Sequence, residues 1–261
     1  RANWGKLGNA AIRDWDYIGT INQTIVTVFG SGQALNSGAA QVRIVNTDLR
    51  WETKETMNFG FDAIFLDNRL GVSAEYYVAK TYDVLTGMPI AYATGNEGGA
   101  PVANAASLKN TGTEFSLSWR DKIGDFKYSI GSNITTLKNE VIELGYGKEV
   151  YYTGTTKSTV GEPLSMFYML KTDGLFRTQA DIDSYVTSKN VPITINGKRP
   201  KLGDMKFIDT DDNGQVTSGD RQIVGNPWPS LQMSLLFNAS WKNFDMSMSW
   251  FGQFGNEIYN V

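Results

Sequence analysis

The sequence predicts an all-β protein, and three observations carry that prediction. Apolar residues recur with a period of two in six stretches of the chain. These stretches come in pairs joined by short polar turns, the signature of β-hairpins. Long links rich in small and polar residues separate one pair from the next. Alternation gives each strand one apolar and one polar face. Two architectures satisfy it. One is an antiparallel transmembrane β-barrel with its apolar face on lipid. The other is a soluble β-sandwich whose apolar faces form the core. The connections favour the barrel. Compact soluble domains rarely carry structureless loops beyond about 12–15 residues, whereas outer-membrane barrels alternate short periplasmic turns with long extracellular loops.

In chain order, the first hairpin places Met57, Phe59, Phe61, Ala63 and Phe65 on one face and Thr56, Asn58, Gly60 and Asp62 on the other. A turn at Asp67-Asn68 leads to Leu70, Val72, Ala74, Tyr76 and Val78, set against Gly71, Ser73 and Glu75. In the second hairpin Phe115, Leu117 and Trp119 precede a turn within "RDKIGD", expected over 121–124, and Phe126, Tyr128, Ile130 and Ile134 follow it. In the third, Leu231, Met233, Leu235, Phe237, Ala239 and Trp241 lead through Lys242-Asn243 to Phe244, Met246, Met248 and Trp250. Each strand approaches the roughly 9–11 residues that a tilted strand needs to cross a bilayer. Ser, Gly, Asn and Thr on the polar face suit a wetted lumen. The links, about 81–109 and 140–230, include "TGNEGGAPVANAAS" and the segment "TQADIDSYVTSKN". The second predicts a short helix with Thr178 as N-cap and Asp181 in its first turn.

Composition narrows the function. The 261 residues carry a net charge of −3, 41% hydrophobic and 12% aromatic residues, and 27 glycines. No basic surface points to nucleic acid. There is no Cys, which excludes disulfides, thiolate metal sites and thiol nucleophiles. There is no His, which removes the commonest general base. The first residues show no basic region leading into an apolar core, so no signal peptide is read there. No apolar run of 18 residues marks a transmembrane helix. No phosphate loop or nucleophile elbow appears, and an enzyme is not expected.

One loop has ligand chemistry. "DTDDNGQVTSGD" places Asp209, Asp211, Asn213, Gly214, Gln215 and Asp220 at positions 1, 3, 5, 6, 7 and 12 of a twelve-residue frame. This is EF-hand loop spacing, with glycine at the sharp turn and a backbone carbonyl at Gln215. Asp220 replaces the usual bidentate Glu with a shorter arm. Hard oxygen ligands predict Ca²⁺, in a structural clip, through Asp209, Asp211, Asn213, Asp220 and the Gln215 carbonyl, with a water or Thr217 completing the shell. The alternative is a solvated turn without an ion.

Other candidates have plainer readings. The prolines of "GNPWPS" make a stiff approach to the Leu231 strand. Trp228, Trp15, Tyr17, Tyr146, Tyr151 and Tyr152 could stack on a ligand, but loop packing or a membrane-interface belt is preferred for each. Asp181/Asp183 and Glu140/Glu143 are read as solvated carboxylates rather than acid/base pairs.

Several ordered blocks resemble a known family: "RANWGKLGN", "NTDLRWETKETMNFGFD", "NRLGVSAEYYVAKTYDVL", "NTGTEFSLSW", "VGEPLSMFYMLKTDGLFRTQADID" and the stretch from "GDMKFIDTDDNGQ" to "GNEIYN". Together they are similar to the barrel of SusC/RagA-type TonB-linked outer-membrane transporters. The resemblance implies a portion of a large barrel of about 22 strands in the outer membrane of a Bacteroidetes-type bacterium. It also implies uptake of an oligosaccharide or peptide, a SusD-like lipoprotein over the barrel, and energy from TonB–ExbB–ExbD. A plug, a TonB-contacting segment and the terminal strands are not recognised in the sequence, so residues 1–261 are read as an internal part of the barrel. The rival readings are a calcium-stabilised sandwich that binds carbohydrate and a dockerin-like module. The second would need a duplicated loop.

Overall fold

The computed structural model describes residues 1–10, 17–41, 44–88, 90, 93 and 101–260, with the side chain of residue 146 outside the description. Strand β1 (Ala2–Asn9) precedes a separate hairpin, β2 (Ile21–Phe29) and β3 (Ala34–Gln41). The first long hairpin is β4 (Glu52–Phe65) and β5 (Leu70–Tyr82). Short strands β6 (Leu85–Gly87) and β7 (Val102–Asn104) pair within the next link. The second long hairpin is β8 (Ala106–Ile123) and β9 (Phe126–Thr136). The second link contains β10 (Lys138–Leu144), β11 (Val150–Thr153), β12 (Thr156–Thr159), β13 (Met166–Leu170), β14 (Thr172–Leu175), helix α1 (Gln179–Asp183), β15 (Thr194–Ile195), β16 (Met205–Phe207), β17 (Gln215–Val216) and β18 (Arg221–Gly225). The third long hairpin is β19 (Leu231–Trp241) and β20 (Phe244–Phe254).

One eight-stranded antiparallel sheet dominates, ordered β1-β4-β5-β8-β9-β19-β20, with β10 also pairing with β8. Its register joins the predicted faces into one. Phe61, Ala74, Phe115, Ile134 and Met233 are cross-strand neighbours, as are Phe65, Leu70, Trp119, Ile130, Phe237 and Met248. The opposite face carries Asp62, Ser73, Ser116, Asn133 and Ser234 in one row and Arg120, Ser129, Asn238 and Ser247 in another. Asn133 Nδ2 donates to Ser234 Oγ at 3.2 Å, and Ser247 Oγ donates to Asn238 Oδ1 at 2.8 Å. Ile64, Leu236 and Phe251 interrupt this polar face.

The apolar face is not a core. Phe59 is 52% exposed, Phe61 57% and Phe244 75%. A sandwich would cover these side chains with a second sheet; here they face outward along the whole sheet, as a lipid-facing wall does. Aromatic residues gather beside the short turns. Trp119 Nε1 donates to the Tyr128 hydroxyl at 3.3 Å, and Phe126 stacks on Tyr128 at 5.8 Å. Lys242 Nζ lies 5.1 Å from the centre of the Trp241 ring. An aromatic girdle with a cation beside it suits a membrane–water interface. No helix among the described residues is long and apolar enough to cross a membrane.

The turns refine the sequence reading. Leu66, Asp67 and Asn68 all have positive φ, so the first turn spans more than the predicted pair. The second lies at Gly124-Asp125 rather than over 121–124: β8 runs on to Ile123, which pairs with Phe126, and Gly124 takes φ +60°. Asp121 and Lys122 look like turn residues but stay in register with Tyr128 and Lys127. The third turn is at Lys242-Asn243 as predicted.

The larger of two clusters of buried side chains among the described residues lies in the link after β10; a smaller one joins Met88, Ala103 and Ala105. Phe176, Ile182, Tyr185, Ile193 and Val216 form the larger core, with Leu170, Ile195 and Phe207 against it. The second link is therefore folded, not structureless. Helix α1 begins at Thr178, whose hydroxyl accepts from Asp181 N while the Asp181 carboxylate accepts from Thr178 N. This is the predicted cap, in a helix shorter than its segment. Arg199 closes the other end, donating to the Ile182 carbonyl at 2.8 Å and to those of Tyr185 and Ile193.

Candidate functional site

The acidic loop grows out of this core. Val216 is buried, and its two-residue strand β17 runs parallel to β15. Thr194 N donates to the Gly214 carbonyl at 3.0 Å. Asp212, with φ +57°, points away from the other carboxylates and accepts from Ser188 N and Oγ, which hold its pKa below the usual carboxylate value. Gly214 turns the chain at φ +86°, a conformation that glycine adopts at least cost.

The loop brings Asp209, Asp211 and Asp220 together, each offering an oxygen within 4.8 Å of the others. Asp209 Oδ2 accepts from Gly214 N at 2.8 Å, and Asp211 Oδ2 from Asn213 Nδ2 at 2.8 Å. Asn213 Oδ1 accepts from Gln215 N at 2.7 Å. Asp220 is fully buried. Its oxygens accept from Thr210 N at 2.7 Å and Thr217 N at 2.8 Å, and it completes a capping box with Thr217. Burial opposes its charge, but the backbone N–H groups of Thr217, Thr210 and Asp211 outweigh that and hold its pKa down. The position-12 carboxylate thus also has a folding role that its place in the spacing does not reveal.

The aromatic candidates separate. Trp228 is half-buried, and its Nε1 donates to the Leu164 carbonyl at 2.7 Å. The Tyr151 hydroxyl contacts Met88 Sδ at 3.1 Å. Tyr152 is exposed and leans on Tyr168, with Lys157 Nζ near both rings. Tyr17 is exposed. Trp15 lies outside the described residues, as does the side chain of Tyr146. The carboxylate pairs are structural or solvated: Asp181 caps α1, Asp183 accepts from Gln179, Glu140 lies 3.8 Å from Lys138 Nζ, and Glu143 is exposed. Sequence reasoning missed a recess on the polar face beneath Trp228, because it is lined by β4, β5 and β8, whose register is not visible locally, together with Leu137 and Trp228.

A lipid-facing wall beneath folded loops has a clear counterpart among known proteins. Residues 1–256 match the family described as TonB dependent receptor-like, beta-barrel. The chain belongs to this family. It is part of a TonB-dependent receptor barrel of the bacterial outer membrane, in a family of transporters and receptors rather than enzymes. TonB-dependent receptor P3 of Formosa agariphila is 29% identical over 273 residues, covering 100% of this chain and 26% of that protein. TonB-dependent receptor SusC of Bacteroides thetaiotaomicron is 30% identical over 216 residues, covering 82% of this chain and 20% of that protein. The RagAB peptide importer in its "open-open" state superposes with a TM-score of 0.74 at 22% identity, over 98% of this chain and 26% of that one. The TonB-dependent receptor barrel described here thus spans about a quarter of the length of its first curated relatives.

Proposed function

We propose that the whole protein imports a nutrient, an oligosaccharide or a peptide, across the outer membrane with TonB-supplied energy. In this reading a SusD-like surface lipoprotein caps the barrel, and the TonB–ExbB–ExbD system acts through other parts of the protein. This chain contributes wall and outer loops: the Phe59/Phe237 face meets lipid, the Ser73/Asn133/Ser234 face lines the lumen, and the link after β10 stands outside the cell. The observation that carries the reading is the two-faced sheet, with its outward apolar side exposed and its inner side a hydrogen-bonded polar ladder. The likeness to SusC supports the transporter class, and the printed name of RagAB puts peptides among the nutrients to try first. The test is uptake by cells with and without the whole protein. Loss of uptake of a peptide or oligosaccharide on deletion, with co-purification of a surface lipoprotein, is expected; unchanged uptake of every nutrient tried would contradict it.

The loop Asp209–Asp220 is proposed to hold one Ca²⁺. Two oxygens each about 2.4 Å from one ion lie at most about 4.8 Å apart, so the carboxylate spacing fits. Asp209, Asp211, Asn213, Asp220 and the Gln215 carbonyl would hold the ion. Hydrogen-bonded carboxylates keep lone pairs for it. The ion would supply charge compensation and fix the loop that leads through β18 and Trp228 into β19. An affinity of about 10⁻⁴–10⁻³ M would suffice outside the cell. Calcium titration of the purified whole protein, followed by protease resistance of the outer layer, should saturate in wild type and be lost in Asp209→Ala. A well-ordered map at high calcium with only water among these oxygens would contradict it.

A further inference from the structure

Lys54, Asn58, Glu75, Tyr77, Glu114 and Trp228 line a recess of about 310 Å³ on the polar face of the long sheet. It lies toward the outer loops, since roughly 25 Å of strand separates Asn58 from the short turn after Phe65 at about 3.3 Å per residue. Asn58 stands opposite Tyr77, and Glu75 stands opposite Glu114. Two carboxylates directly opposed on one face repel unless a cation joins them. Arg1 Nη2 reaches Glu75 at 3.0 Å. Glu114 has neither an ion pair nor a side-chain hydrogen bond among the described residues. Lys54 does not supply the missing charge. The Glu75–Glu114 row crosses β4 at Gly60, and Lys54 lies about 20 Å farther along that strand.

The walls of the recess around Glu114 are aromatic. Tyr77 and Trp228 supply the rings, and Trp228 is fixed by its hydrogen bond to Leu164. A free carboxylate and aromatic walls complement a guanidinium or ammonium group. We propose that this recess receives the cationic side chain of an arginine or lysine in an imported peptide, with Lys54 at the far end facing the peptide's own carboxylates. The proposal rests on the uptake reading above and narrows its substrate.

The test uses the whole transporter with its surface lipoprotein and two oligopeptides identical except for arginine in one and the neutral isostere citrulline in the other. Wild type should bind the arginine peptide at least about tenfold more tightly, the scale of a charged hydrogen bond. Glu114→Gln should bring the two within about twofold, with the citrulline peptide reporting on folding. Indifference of wild type to the exchange, or equal weakening of both peptides by Glu114→Gln, would overturn the proposal. So would a whole-protein structure in which a lysine or arginine from elsewhere in the same protein fills the recess. Binding of an oligosaccharide but of neither peptide would overturn this proposal and leave uptake standing; binding of no nutrient at all would count against both.

Discussion

Tyr77 lies across Gly112 on the neighbouring strand, in space that no side chain at 112 could share. A Cβ there would stand 2.7 Å from the Tyr77 oxygen and 2.0 Å from the Thr136 carbonyl oxygen. The Tyr77 hydroxyl donates to that same carbonyl at 3.4 Å. One ring thus spans from β5 over β8 to the end of β9, at the level where the wall gives way to the outer loops.

Gly112→Ala should therefore destabilise the barrel more than Tyr77→Phe. The first forces backbone apart, at the roughly 1–3 kcal/mol typical of overpacking. The second removes one long hydrogen bond, about 0.5–1.5 kcal/mol at most. The unfolding midpoint of the whole barrel, read by its heat-dependent gel shift, checks the order. An unchanged midpoint in Gly112→Ala would show that the ring does not sit there.

Alkaline titration should report on the outer layer. The Tyr185 phenol is pushed up from 10.0 to about 12, first by burial and then by the carboxylates of Asp209 and Asp220. A raised folded pKa means that this contribution to stability is intact below pH 10 and is lost as pH rises toward about 12. Protease resistance of the outer layer should fall across that window, and Tyr185→Phe should blunt the fall. Added calcium should lower the tyrosinate midpoint by offsetting the two carboxylates. A midpoint near 10 with or without calcium would contradict this.

Asp220→Ala should loosen the outer layer even without calcium, because it strands the N–H groups of Thr210 and Thr217. Gly214→Val should do so through its positive φ, since the neighbouring Val191 and Thr187 methyls leave a Cβ at ordinary contact distance. Neither should impair insertion. Limited proteolysis and a surface-expression assay separate the two effects; loss of insertion in both variants would show that the loop supports the wall itself.

Sidedness follows from the short turns and the long, folded second link. An epitope tag at Gly154, in the turn between β11 and β12, should be reached by antibody on intact cells, and one at Asn243 should not. The opposite pattern would invert the topology.

Much of this was legible in the chain, and the parts that were not share a cause. Alternation from Met57 to Phe65 and from Leu70 to Val78 marks a hairpin because it needs only neighbours in sequence. Thr178 and Asp181 mark a helix start for the same reason. Strand β1 was missed as a strand: Gly5, Gly8 and Asn9 weaken its alternation, and it is held by pairing with β4. The recess around Glu114, and the contact of Tyr77 with Gly112, depend on the register of β5 against β8, which no local pattern states. The spacing from Asp209 to Asp220 displays ligand chemistry, but the burial of Asp220 and its capping of Thr217 are set by the core around Val216.

The direction in which the two faces of the sheet point can be measured directly. The chain has no Cys, so single cysteines at Phe59, Phe237 and Met248, and at Asn58, Ser234 and Ser247, can be introduced into the whole protein and compared within it. A water-borne thiol reagent entering the lumen should label the second set, and a lipid-dissolved reagent the first. A charged residue at Phe237 should cost about 2–4 kcal/mol near the bilayer midplane, and one at Ser234 much less. Labelling of the Phe and Met positions from water, with the Ser and Asn positions reached only from lipid, would contradict a lipid-facing wall.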